Sequence, residues 1–224
     1  MTKFLNEFYA LADPGYRAFQ SRLIPELDPE TIRGVRFPAM RAFVKKYKGT
    51  KEAEAFLDAL PHGTYDENTL HALFLNEIRE PETLYRRLDA FLPYVDNWAT
   101  CDALAPKAVK KDLNAARRYA DRCQKSDRPF TVRFGIGLDM KFFLGDAFLP
   151  AYAKQIAAIR TGEYYVEMMI AWYFATALAK QRDAALPFFT EERLSPPVRK
   201  KAIRKALESF RVSAEDKALL RSLH

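Results

Sequence analysis

Glycine is scarce in this chain, with 8 among 224 residues. An all-β protein of this length needs many tight turns, and glycine supplies their positive φ angles without steric cost. Cysteine is scarcer still: Cys101 and Cys123 stand alone, without the spacing of a zinc site or a disulfide framework. Two buried thiols in a reducing cytoplasm are expected. Histidine is limited to His62, His71 and His224, none at metal-binding spacing, and there is no HExxH. GxSxG and the phosphate-binding P-loop are also missing. Gly135-Ile-Gly137 lacks the third glycine of a dinucleotide fingerprint and lies within a helical pattern, so close helix packing is the expected role. Neither a metal nor a cofactor is expected. Long hydrophobic runs are absent as well. The longest, Tyr164 to Leu178, contains Glu167 and falls short of the ~20 apolar residues of a membrane span; it reads as a buried helix. The opening Met1-Thr-Lys-Phe-Leu-Asn-Glu7 has no apolar core of a signal peptide.

What is present favours helix. Apolar residues make up 49% of the chain, enough for a core in one domain of this length. Punctuation falls between periodic apolar segments at Asp13-Pro14-Gly15, Asp28-Pro29, Phe37-Pro38, Pro61-His62-Gly63, Glu80-Pro81 and Ser195-Pro196-Pro197. Leu70, Leu73, Leu75 and Ile78 mark one helix, and Leu84, Leu88, Phe91 and Leu92 the next. Asn114 to Cys123 and Phe130 to Phe143 mark two more. About a dozen helices in antiparallel pairs are predicted. In the second half the pairs repeat. Tyr94–Trp98, Arg128–Arg133, Tyr164–Glu167 and Pro196–Arg199 each open a second helix, which sets Trp98, Arg133, Trp172 and Arg204 in register at intervals of 35, 39 and 32 residues. The expected architecture is an all-α, HEAT-like helical-repeat solenoid spanning 1–224 as a single monomeric domain, its second helices lining a concave basic groove.

Charge points the same way. The net charge is +7. Eight Lys/Arg stand against three Asp between Ala105 and Arg128, and five Lys/Arg with no acid between Arg199 and Lys205. A polyanionic partner, duplex DNA above all, is therefore expected. Candidate phosphate contacts are Lys107, Lys110, Lys111, Arg199, Lys200 and Arg204, with Arg36, near Arg33 and Arg41, in the first repeat. Trp98 and Asp102 are four residues apart and share a helix face.

The stretches Val95-Asp-Asn-Trp-Ala-Thr-Cys-Asp102, Thr131-Val-Arg-Phe-Gly-Ile136 and Ile170-Ala-Trp-Tyr173, with the closing Leu194-Ser-Pro-Pro-Val-Arg-Lys-Lys-Ala-Ile203, resemble the AlkD-type DNA alkylation repair glycosylases. The resemblance runs from about Gly34 to Ala206. It implies excision of N3- and N7-alkylated purines from duplex DNA without metal or cofactor. It also implies that the lesion's backbone is engaged while the base stays outside a deep pocket. By resemblance Asp102 is the catalytic carboxylate, Trp98 and Trp172 are aromatic walls beside the deoxyribose, and Arg133 stands next to Asp102 and contacts the DNA backbone. The chain departs from better-known members at Asn97, where a second tryptophan is common, and at Ala175, where a basic residue is common. Two other readings stay open: a non-catalytic relative that binds damaged or branched DNA, and a protein-binding repeat scaffold.

Overall fold

The computed structural model describes residues 2–223; His224 lies outside them. The described residues form fifteen α-helices and no strand, with one isolated antiparallel bridge between Ala12 and Val35. Two compact units divide the chain, Met1–Leu113 and Asn114–His224.

The first unit holds α1 (Lys3–Tyr9), α2 (Pro14–Leu23), α3 (Phe37–Tyr47), α4 (Lys51–Asp58), α5 (Tyr65–Leu75), α6 (Pro81–Phe91) and α7 (Trp98–Ala103). The punctuation of the sequence becomes helix starts. Asp13 caps α2, its Oδ1 accepting from the Tyr16 amide at 2.9 Å, with proline in the first turn. Proline also opens α3 and α6, where a missing N–H costs nothing and a fixed φ suits the helix. The hub is α5, every residue of which is buried; α3, α4, α6 and α7 all pack on it. A capping box starts it: Thr64 Oγ1 accepts from the Glu67 amide at 3.2 Å, and Glu67 Oε2 accepts from the Gly63 and Thr64 amides. Tyr9 of α1 donates to Glu67 Oε1 at 2.6 Å, which ties the N-terminal helix to that cap.

Asp66 follows in α5, fully buried, and it accepts from three consecutive amides, Arg33 at 2.6 Å, Gly34 at 3.1 Å and Val35 at 2.7 Å. Three amides converge only because Gly34 adopts a φ of 90°; a Cβ there would stand 2.6 Å from the Asp13 carbonyl oxygen. The chain entering α3 is thereby pinned to α5.

The second unit holds α8 (Leu113–Gln124), α9 (Pro129–Phe142), α10 (Pro150–Ala158), α11 (Tyr164–Lys180), α12 (Arg182–Ala185), α13 (Pro187–Thr190), α14 (Pro196–Glu208) and α15 (Ala214–Ser222). Its centre is α11, packed against α9 and α14, so the long apolar run is a buried helix as predicted. The acid in that run is accounted for: Glu167 Oε2 accepts from Lys201 of α14 at 2.7 Å. The predicted second helices are present, α7, α9, α11 and α14 beginning at Trp98, Pro129, Tyr164 and Pro196, but Trp98, Arg133, Trp172 and Arg204 fall at the first, fifth, ninth and ninth positions of those helices rather than in one register. Gly135 packs closely, as predicted: a Cβ there would meet the Ala120 carbonyl oxygen and Cys123 Cβ, each at 2.8 Å. Gly137 differs, having only Met169 Cε at 3.7 Å, an ordinary contact. Cys101 and Cys123 are both buried and not joined in a disulfide. Among the described residues no helix is long and apolar enough to cross a membrane.

Candidate functional site

The helix α7 is only six residues long and depends on its cap. Asn97 is fully buried, and its Oδ1 accepts from the Thr100 amide at 2.8 Å. Its Nδ2 donates to Asp96 Oδ1 and Thr100 Oγ1 at 2.9 and 3.1 Å. The Thr100 hydroxyl then meets that of Thr69 on α5 at 3.1 Å. The residue that resemblance marks as a missing aromatic is therefore the group that starts this helix and fixes its first turn to the hub.

Trp98 and Asp102 stand one turn apart on α7, both half-buried. One side of the indole packs on the small core of Ile24, Ile32, Tyr65 and Ala99. Its Nε1 donates to the Leu23 carbonyl at 3.3 Å. Leu23 ends α2 and Pro25 follows two residues later, so this carbonyl is available at a helix end rather than spent in a continuing ladder. The N-terminal helices, whose chemistry the sequence left unassigned, thus orient the tryptophan.

Both residues line a cavity of about 780 Å³ within the first unit. The same cavity is lined by one face of α2, Tyr16, Phe19 and Leu23, at helical spacing of three and four. Phe19 and Leu23 remain 48% and 43% exposed. The lining also includes three cations, Arg41 and Lys45 of α3 and Lys48 just after its end. Lys48 is paired with Glu77 at 2.8 Å. Lys45 and Lys48 were not among the residues singled out from the sequence, although the i, i+4, i+7 spacing with Arg41 was there to be read.

The other expected site residues are distributed as follows. Arg36 caps α3 on the surface, its Nε paired with Asp13 at 2.8 Å and its guanidinium over the Tyr16 ring at 5.0 Å. The Asp13 carboxyl is held below the usual carboxylate range by the Tyr16 amide and then by Arg36. Lys107, Lys110 and Lys111 lie exposed on a 3-10 turn, Lys111 reaching Glu80 at 3.0 Å. In the second unit, Trp172 is 40% exposed on α11, a helix otherwise largely buried. Arg133 on α9 is buried, only 5% exposed, and its Nη1 donates to the Tyr165 carbonyl in the first turn of α11 at 2.7 Å. Arg199 donates to the Phe189 carbonyl at 2.7 Å. Lys200 and Arg204 are exposed, Arg204 with Glu208 at 3.1 Å, a surface pair worth little by itself. Ala175 is 3% exposed, so no surface cation was available at that position. Among the described residues no cluster of three or more His, Cys, Asp or Glu is arranged to hold a metal ion.

An indole and a carboxylate side by side, a cavity lined in part by lysines and arginine, and an all-helical repeat scaffold define a class: helical-repeat proteins with a surface suited to nucleic acid. The family described as DNA alkylation repair enzyme matches residues 4–209, and the chain belongs to it. The match takes in Trp98, Asp102, Arg133 and Trp172 and stops before α15. No curated protein matches the chain. Its role lies in the repair of alkylated DNA.

Proposed function

We propose that the chain is a DNA glycosylase that releases cationic N3- or N7-alkylated purines from duplex DNA. The observation that carries this reading is the pairing of Asp102 with Trp98 on one wall of a single cavity, in a member of a DNA alkylation repair family.

Alkylation at N7 or N3 places positive charge on the purine, which is then already a good leaving group. As the C1′–N9 bond breaks, its electron pair goes to the base, which departs neutral, and no general acid is needed. The sugar is left as an oxocarbenium-like cation. Asp102 stabilises that charge at close range, as carboxylates do in glycoside hydrolysis. The electron-rich face of Trp98 adds to the stabilisation. A water then forms the new C–O bond at C1′ and gives its proton to Asp102 or to solvent, leaving an abasic sugar. Trp172 supplies a second aromatic face from α11. Arg133 serves by holding the first turn of that helix through Tyr165. The exposed lysines and arginines take the phosphates, which fixes position without reading sequence.

The test is base release from a duplex carrying N7-methylguanine. Wild type is expected to release the base and Asp102→Asn to lose release by at least two orders of magnitude while still binding DNA. Tight, salt-sensitive binding without any release from the wild type would instead establish a non-catalytic damage-binding protein.

A further inference from the structure

In the second unit α11 is buried nearly all round. Between 164 and 178 its residues are covered except Tyr164, Tyr165, Met168, Trp172 and Thr176, which recur at helical spacing and form one strip along the helix. Tyr164 and Trp172 are the most open, at 56% and 40%. No member of the strip carries a charge. The resemblance assigns only Trp172, as a wall beside the deoxyribose, and leaves the rest of the strip without a role.

Tyr164 is held in place. The ring of Tyr165 stands edge-on to it, with centroids 5.2 Å apart and planes at 83°. Lys201 of α14 brings its ammonium to 5.8 Å from the Tyr164 centroid, while the same Nζ donates to Glu167 at 2.7 Å and balances that carboxylate. The ring is thus partly fixed before anything binds, which lowers the entropy lost on contact. Helix α14 packs on α11 and carries Arg199, Lys200, Lys201, Arg204 and Lys205 against one acid, Glu208. Ahead of α11 the exposed Arg160 and Glu163 cancel in charge, so the basic excess comes from α14. An uncharged aromatic strip beside a basic helix matches a strand whose sugars are apolar and whose phosphates are anionic.

We propose that Tyr164 is a second backbone contact on α11, packing its ring against the deoxyribose of a nucleotide beside the lesion. Eight residues of helix set it about 12 Å along the axis from Trp172, too far for one sugar to touch both. The contact holds the strand and reads no base, in keeping with a protein that leaves the base outside a deep pocket. The proposal rests on duplex DNA as the substrate and on Trp172 as the wall beside the lesion, but its test needs no catalysis.

The probe is a duplex carrying a tetrahydrofuran residue, an abasic analogue with no base to release, titrated against the full chain at several salt concentrations. Tyr164→Ala is expected to weaken binding about tenfold, whereas Tyr164→Phe retains it. Because the contact is apolar, the slope of log affinity against log salt should stay that of the wild type, unlike the slope of a lysine variant. The melting temperature of Tyr164→Ala should also match the wild type, since the ring is more than half exposed. Phe210→Ala, which removes a fully exposed phenylalanine of the same unit, should change nothing. Affinity indifferent to Tyr164→Ala, a shallower salt slope in that variant, or an equal loss in Phe210→Ala overturns the contact. A loss of affinity that comes with a lost thermal transition marks a structural role and overturns it as well. So does a dimer that Tyr164→Ala dissolves while DNA affinity holds, which gives the strip to a second copy of the chain. If Asp102-dependent excision survives any of these results, the glycosylase stands and only the Tyr164 contact falls. Tyr164-dependent binding without excision by the wild type keeps the contact and removes the glycosylase.

Discussion

At the scale of single residues, Asn97 decides more than its size suggests. It caps α7, the helix that carries Trp98 and Asp102, and it is fully buried while doing so. Asn97→Ala removes the acceptor for the Thr100 amide and leaves that amide without it. A loss of about 1–2 kcal/mol is expected, measured as a lower urea midpoint. Asn97→Asp keeps the cap acceptor and is expected to recover part of the loss. Placing there the tryptophan that the resemblance implies gives the opposite of repair: a buried cap position has no room for an indole, and Asn97→Trp should cost more than Asn97→Ala. A stabilised Asn97→Trp protein would overturn the assignment.

At the scale of elements, the entry to α3 offers a sharper test. Gly34 combines positive φ with backbone neighbours closer than any Cβ tolerates. Gly34→Ala is expected to destabilise the first unit by several kcal/mol, well beyond the usual range for a surface substitution, and hydrogen exchange at the amides of 33–35 would report it. Helix starts such as Asp13-Pro14 and Glu80-Pro81 were legible because prolines and caps act locally. The existence of the four second helices was legible from their apolar periodicity, but the common register of Trp98, Arg133, Trp172 and Arg204 was not there, since they fall at different positions along those helices. The role of Asn97 was not, because a cap and a missing aromatic look alike until the following turn is seen. The exposed face of α2 was hidden for a related reason. Tyr16, Phe19 and Leu23 form an apolar stripe like any core-facing one, and only folding reveals that nothing covers it. By resemblance Arg133 stands next to Asp102 and contacts the DNA backbone, and its 5% exposure reflects packing of α9 on α11 that spacing alone does not carry.

At the scale of the molecule, two solution properties follow. His62 and His71 share a hydrogen bond of 2.8 Å between stacked partners, His62 on Phe56 and His71 on Phe91. Burial holds His62 down to about 4. Burial, then His62 and Arg87, holds His71 down to about 2. Their unfolded values lie near 6.5, so above that pH neither state is charged and the fold loses nothing. As pH falls below it, the unfolded chain gains protons that the fold refuses. Stability should therefore drop by up to about 1.4 kcal/mol per pH unit per histidine toward pH 4. Urea midpoints at pH 7.5 and 5.0 test this, and His62→Gln should flatten the slope. DNA affinity should fall with salt by about 0.9 log units per log unit for each phosphate neutralised. Lys107→Ala and Lys200→Ala are each expected to reduce that slope by about one contact. Arg133→Gln should leave it unchanged and lower thermal stability instead, since its guanidinium is spent inside the protein.

The bond from Trp98 to the Leu23 carbonyl spans 75 residues of chain. During synthesis, α2 leaves the ribosome long before the tryptophan that its last carbonyl will hold, and Tyr9 waits similarly for Glu67. The cavity wall beside Asp102 therefore cannot close until α7 has emerged, and nascent chains too short to present α7 should leave the side of Ile24 and Ile32 that Trp98 covers open to chaperones or to one another.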